Sequence, residues 1–175
     1  MLYKLSPQEI ADQAKRTYLA GDYPAAIKAF AEAGSAYAEV GNAPMSAEMK
    51  NNQSVALLRD KQAQAALDAA LDTDVIFAEA GDTRHQGMAL ANQASALQAL
   101  KRFREAIDFY TRASDALEKA GETDFRLEVM QLLSALYLRR FKFIDAIIAL
   151  QSGLAPVKNL TPKQRIMKIL LFFRL

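Results

Sequence analysis

Six side chains stand where their chemistry could be spent on a partner: Asn52 and Asn92, forty residues apart, with Asn51, Gln131, Glu48 and Glu128 in matching company. An amide donates and accepts hydrogen bonds at once, whereas a carboxylate only accepts. The same six residues have a plainer use, in bonding neighbouring helices or facing water. The asparagine row is also interrupted, because the counterparts of Asn52 and Asn92 are Asp12 and Leu132.

Catalytic chemistry finds less material. His85 is the one histidine; it sits between Arg84 and Gln86 in the first turn of an expected helix, with no cysteine or second histidine to complete a metal site. It reads as a surface residue. Asp72 and Asp74 form a close carboxylate pair, expected on a solvent-exposed helix. No glycine-rich phosphate loop, nucleophile elbow or paired acid and base is visible. The expectation is a non-enzymatic protein with no cofactor and no metal.

The elements that would carry the six residues are helices. The chain has 175 residues, 51% of them hydrophobic, with no Trp, 7 Gly and 5 Pro, a make-up that favours one helical domain over sheet. Cysteine is absent, which removes disulfides and thiolate metal sites. The segment Met1 to Pro7 lacks the apolar run of a signal peptide, and no stretch reaches the length of a membrane span. A cytoplasmic location is the expectation. Residues 1–100 carry 8 Lys/Arg against 12 Asp/Glu, and residues 101–175 carry 14 against 8, so the two ends should differ in potential.

A period of forty residues organises the whole sequence. Ser6-Pro7-Gln8-Glu9 has capping-box spacing with proline at the first helical position, and predicts a helix from about Pro7 to Ala20. Gly21 ends it, and Pro24 leads into a second helix that stops at Gly41. Gly81 and Gly121 hold the same place in the next two copies. Polar start signals follow each: Asn42 with Pro44, Asp82-Thr83 with Gln86, and Glu122-Thr123 with Asp124. The Thr83 and Gln86 pair has capping-box spacing. Four helical hairpins result, at approximately 6–41, 42–81, 82–121 and 122–160.

Two columns of small residues explain how the hairpins close. Ala26, Ala66, Ala106 and Ala146 recur in the second helices, and Ala14, Ser54, Ala94 and Ser134 face them from the first. Ile27, Leu67, Ile107 and Ile147 fill the space behind. Tyr23, Phe103 and Phe143 are expected to plug the turns, with Ala63 the weak member.

These motifs resemble the tetratricopeptide repeat, through Ala14, Tyr18, Gly21-Asp22-Tyr23, Ala26-Ile27 and Phe30, and again through Ala94, Phe103, Ala106-Ile107 and Tyr110. The likeness covers nearly the whole chain, in a forty-residue variant similar to that of kinesin light chains and Pins-like adaptors. Gln13, Gln53 and Gln93 depart from it by replacing apolar residues, and Ala63 and Ala70 stand where aromatics are usual. The resemblance implies an all-α, right-handed α-solenoid whose concave wall is built from the first helices and takes a protein or peptide. It also implies that asparagines such as Asn52 and Asn92 hold the backbone of an extended ligand. The lysine and arginine clamp of chaperone-binding members is not reproduced, which argues against a carboxylate-tail ligand.

The C-terminal stretch is least like the family. Gly153 and Pro156 are expected to cut the last second helix short, and Thr161-Pro162-Lys163-Gln164 to start a ninth helix over 161–175. Ile166, Ile169, Leu170 and Phe173 would cap the fourth hairpin, leaving Met167, Leu171, Phe172 and Leu175 over. Met167, Leu170, Leu171, Phe172 and Phe173 are therefore the candidate contact residues. Three readings stay open: the helix folds back and buries both faces, it mediates a homo-oligomer, or it lies on a membrane surface. From Arg139 onward there are eight Lys/Arg and one acid, Asp145, which suits anionic headgroups. Aromatics are not interleaved with these cations, so nucleic acid is not an expected partner.

Overall fold

The computed structural model describes residues 5–172. Among them are ten helices and no strand: α1 (Pro7–Leu19), α2 (Tyr23–Glu39), α3 (Ala43–Arg59), α4 (Ala63–Ala70), α5 (Thr73–Glu79), α6 (Thr83–Ala99), α7 (Phe103–Lys119), α8 (Thr123–Arg139), α9 (Phe143–Leu154) and α10 (Pro162–Phe172). Consecutive helices pair as antiparallel hairpins, and each hairpin stacks on the next.

Local chemistry sets the helix ends. The box at α1 forms as the spacing predicts: the Glu9 N–H donates to Ser6 Oγ and the Ser6 N–H to Glu9 Oε2 at 2.8 Å. Asp22, Asn42 and Asp82 cap α2, α3 and α6 by accepting the N–H groups of Ala25, Met45 and His85. The expected Thr83–Gln86 box is therefore not the cap of α6. Asp82, one residue earlier, reaches the His85 N–H and places Thr83 inside the helix. At the other ends Gly41, Gly81 and Gly121 take φ of +72°, +71° and +73°, which only glycine adopts without a Cβ penalty. The following N–H then turns back onto a helix carbonyl, as in Asn42 to Tyr37 at 2.9 Å.

The second hairpin departs from a simple pair. Its second helix breaks at Leu71–Asp72, where Asp72 is left-handed with φ of +60°. Aspartate visits this region more readily than most residues. The Thr73 hydroxyl lies 2.7 Å from Ala70 O, a local contact that competes with the helical ladder. The helix expected as the ninth is accordingly α10.

The two small columns face each other. Ala14, Ser54, Ala94 and Ser134 and their partners Ala26, Ala66, Ala106 and Ala146 are all buried, none above 6% exposed. Around them the core is strung out as clusters shared by neighbours. One joins Leu90, Leu97, Tyr110, Leu117, Met130 and Leu133, and another joins Ile10, Phe30, Tyr37 and Met49. Such a stack has no single centre, and each hairpin depends on the next.

The fourth hairpin corrects two expectations. Gly153 does not interrupt α9; it lies buried inside the helix, where an added Cβ would come within 2.8 Å of Met130 Cβ. Pro156 follows the end of α9, which at 12 residues is shorter than the 17-residue helices α2, α3, α6, α7 and α8. Phe143 does not plug its turn, being 58% exposed, because among the described residues no helix covers it as α8 covers Phe103.

Candidate functional site

The first helices α1, α3, α6 and α8 place Asn52 and Asn92 at the same repeat position, both half-buried. Neither amide makes a hydrogen bond among the described residues. Beyond Asn92, a cavity of about 200 Å³ opens between α6 and α8. Asn92 and Ser95 line one side, Phe125, Glu128 and Leu132 the other, and Leu117 the floor. The Ser95 hydroxyl lies 3.0 Å from the Tyr110 phenol, which burial pushes above its usual range despite that bond.

The other expected site residues scatter. Asn51 is buried, and its Oδ1 accepts from the Thr73 hydroxyl at 3.1 Å, so it fastens α3 to α5 and is withdrawn from the wall. Glu48 accepts from Lys15 Nζ at 3.2 Å, bridging α3 to α1. Gln131 and Glu128 are exposed on α8, and only Glu128 lines the cavity. The apolar lining residues Met88, Phe125 and Leu132 are not among the expected site residues. Leu132 carries a readable signal, since it stands in the asparagine column. Arg84 fixes the rim by pairing with Glu122 at 2.9 Å and lying over the Phe125 ring at 5.4 Å.

Buried polar groups elsewhere are structural. Asp74, expected on an exposed helix, is 7% exposed because the break at Leu71–Asp72 precedes it; Asp72 alone faces water. The Asp74 Oδ1 accepts from Gln93 Nε2 at 2.8 Å, and its Oδ2 lies 3.3 Å from the Arg112 guanidinium. This bond accounts for the glutamine at a position that is apolar in the repeat pattern. His85 Nδ1 lies 2.7 Å from Asp82 Oδ2 and its ring stacks on Phe77. Among the described residues no three His, Asp or Glu side chains are grouped to hold a metal.

The C-terminal helix is rotated from its expected setting. Ile166 and Ile169, expected to cap the stack, are 61% and 56% exposed, whereas Met167 and Leu171 are half-buried. Two interactions fix this rotation: Lys168 Nζ donates to the carbonyls of Leu154 and Ala155, and Gln151 Nε2 donates to Leu171 O at 2.7 Å. Met167 and Leu171 thus belong to the packing of α10 on α9. The expectations for the side chains of Leu170 and Phe172, and for Phe173, lie outside the described residues.

No family model matches this sequence, and no curated protein does. Solved structures do. A Podosopora anserina chain described as a kinesin light chain protein of nearly identical TPR-like repeats superposes with a TM-score of 0.75 at 16% identity, over 99% of this chain and 87% of its own. A point-substituted form of that chain gives 0.76 at 15% identity, over 98% and 87%. BtubC (BKLC) from P. vanneervenii gives 0.75 at 20% identity, over 95% of this chain and 68% of its own.

The fold is a tetratricopeptide-like α-solenoid. Stacked helical repeats present extended surfaces, and the first helices α1, α3, α6 and α8 line up along one of them. No described helix is long and apolar enough to cross a membrane.

Proposed function

We propose that the protein is a non-enzymatic scaffold that takes an extended peptide or protein segment along the wall formed by α1, α3, α6 and α8. The observation that carries this reading is the pair Asn52 and Asn92. They occupy one repeat position on successive first helices, half-buried, with amides not engaged by other described residues. Each can therefore donate to and accept from one peptide unit of a ligand. The contrast with Asn51, spent on Thr73, marks which amides remain available. The cavity beside Asn92 supplies an apolar seat between Phe125 and Leu132 for a side chain of that segment. On this reading α10 caps the stack, tied to α9 through Lys168 and Gln151.

A random-peptide display selection on the full chain tests the wall. Peptides enriched on the wild type should be lost on an Asn52→Ala, Asn92→Ala double variant whose melting temperature is unchanged. Equal recovery on both proteins removes the reading.

A further inference from the structure

The two faces of the stack are unlike. In α8, Val129, Leu133 and Leu136 are buried in the cluster shared with α7. At the same repeat positions α1 carries Glu9, Gln13 and Arg16, all three exposed, so that face is polar. The α9 face is the reverse. Phe143, Ile144 and Ile148 are 58%, 73% and 53% exposed, and α10 reaches only the far half of α9, around Gln151 and Leu154.

The repeat supplies a control for each of these residues. Positions 144 and 148 are Pro24 and Lys28 in α2, Gln64 and Asp68 in α4, and Arg104 and Asp108 in α7. The outer face thus carries no large apolar side chain in three hairpins wherever it is isoleucine in the fourth. Phe141 is the sharper case. Its counterparts in the other turns are Gly21, Lys61 and Lys101, and all four have positive φ. A bulky aromatic is a poor choice for left-handed backbone. Phe141 nevertheless adopts φ of +59°, is 80% exposed, and meets the Phe143 ring edge-on at 6.3 Å.

Beside this apolar ledge is a basic cavity of about 540 Å³ between the ends of α6 and α8. Lys101, Arg139 and Arg140 supply its charge, and no acidic side chain among the described residues lines it. The Gln98 amide is part of its wall, with a buried oxygen that has no hydrogen-bond partner among the described residues. Arg140 leads directly into Phe141, so cavity and ledge share one corner.

We propose that this corner docks on an anionic phospholipid surface. Lys101, Arg139 and Arg140 take a lipid headgroup while Phe141, Phe143 and Ile144 enter the interface beside it. Charge complementarity selects an anionic occupant. A helix stacked as α8 stacks on α7 would cover Phe143 and Ile147 but leave Phe141, Ile144 and Ile148 bare, since Lys101, Arg104 and Asp108 stay open to solvent beside α8. A second copy meeting this face through its own equivalent face would bring the Arg139 and Arg140 of both copies to one seam. A bilayer accepts a protruding aromatic turn and a ring of cations together.

Sedimentation of the full chain with phosphatidylcholine vesicles, with and without phosphatidylserine, tests this. The wild type should sediment only with the phosphatidylserine vesicles, and less as salt is raised. An Arg139→Gln, Arg140→Gln variant should bind roughly 25-fold more weakly, at about fivefold per cation. A Phe141→Gly, Ile144→Gln, Ile148→Asp variant takes residues that the other hairpins already use there, so it keeps the fold; it should lose about tenfold or more in vesicle affinity. The proposal is overturned if the wild type ignores phosphatidylserine vesicles at low salt, or if the ledge variant binds them as well as the wild type. A wild-type dimer in solution that becomes a monomer in the ledge variant also overturns it, by assigning the ledge to a second copy.

Discussion

The Ser54 hydroxyl donates to the carbonyl oxygen of Ala66 across 2.7 Å, joining the two small-residue columns that let the helices of a hairpin approach. Ser134 repeats the bond to Ala146 at 2.8 Å, while Ala14 and Ala94 hold the same position in the other hairpins without it. Alanine therefore fits sterically at Ser54. Ser54→Ala should cost only the hydrogen bond, about 1 kcal/mol, because the Ala66 carbonyl also belongs to a helix. Urea unfolding of the single and Ser54→Ala, Ser134→Ala double variants should show nearly additive losses, the two sites being two hairpins apart.

Ala106 is fully buried in the facing column, and a larger side chain has nowhere to go. Ala106→Leu should destabilise by about 1–3 kcal/mol through overpacking. A variant as stable as the wild type in the same urea titration would mean that the helices can separate freely here.

Gly153 offers a sign test between two roles. A helix-breaking glycine replaced by alanine gains about 1 kcal/mol of helix propensity. A close-approach glycine loses more than that to steric conflict, and the added Cβ would lie 2.8 Å from Met130 Cβ, an atom fixed to its backbone. Gly153→Ala should lower stability by a net 1–2 kcal/mol, roughly, and a gain would restore the breaker role.

How much of this was legible in the sequence follows from what each feature depends on. The period, the hairpins, the small columns and the left-handed Gly41, Gly81 and Gly121 rest on local chemistry repeated at constant spacing, which reinforces itself. The break at Leu71–Asp72 carries no glycine or proline, and its consequence, a buried Asp74, depends on Gln93 and Arg112 arriving from other helices. The rotation of α10 was hidden for a similar reason. Its hydrophobic residues occupy most of its circumference, so the choice of Met167 and Leu171 over Ile166 and Ile169 falls to Lys168 and Gln151. On the wall, Asn51 and Asn52 are sequence neighbours with opposite fates, because successive residues of a helix point about 100° apart.

Removing Asp74 should expose its structural role. Asp74→Ala leaves the Gln93 amide, 3% exposed, without its acceptor and should cost about 1–3 kcal/mol. Asp74→Asn keeps an oxygen for Gln93 and loses only the half-exposed Arg112 pair, worth about 1 kcal/mol or less. Adding Gln93→Leu to Asp74→Ala removes the stranded amide and should recover part of the loss. Equal stability of the Ala and Asn variants would show that the Asp74–Gln93 bond contributes nothing.

Acid should act through three carboxyls. Burial alone would raise the Asp82 carboxyl, but the His85 N–H and ring, with Arg84, hold it below its usual range. The backbone and hydroxyl of Ser6 lower Glu9, and the Arg102 guanidinium lowers Glu105. Each folded value lies below the unfolded one, so the stabilisation is complete above the unfolded values near about 4 and is lost as pH falls through the folded values. Asp82→Asn keeps a capping oxygen without the charge. Its melting temperature should fall less steeply than that of the wild type below about pH 4, and parallel curves would clear Asp82 of any part in acid unfolding.

Phe141 separates what serves the fold from what does not. Its backbone is left-handed and its ring is largely in solvent, so the turn gains little packing from it. Relieving left-handed strain in an L-residue is worth about 1–2 kcal/mol, and glycine returns roughly half of that as extra chain entropy in the unfolded state. Phe141→Gly should therefore stabilise the chain by about 0.5–1 kcal/mol, measured as a rise in the urea midpoint at unchanged slope. A residue whose removal strengthens the fold is kept for something outside it. If the midpoint falls instead, the contact of Phe141 with Phe143 outweighs the strain, and the phenylalanine belongs to the packing of the turn.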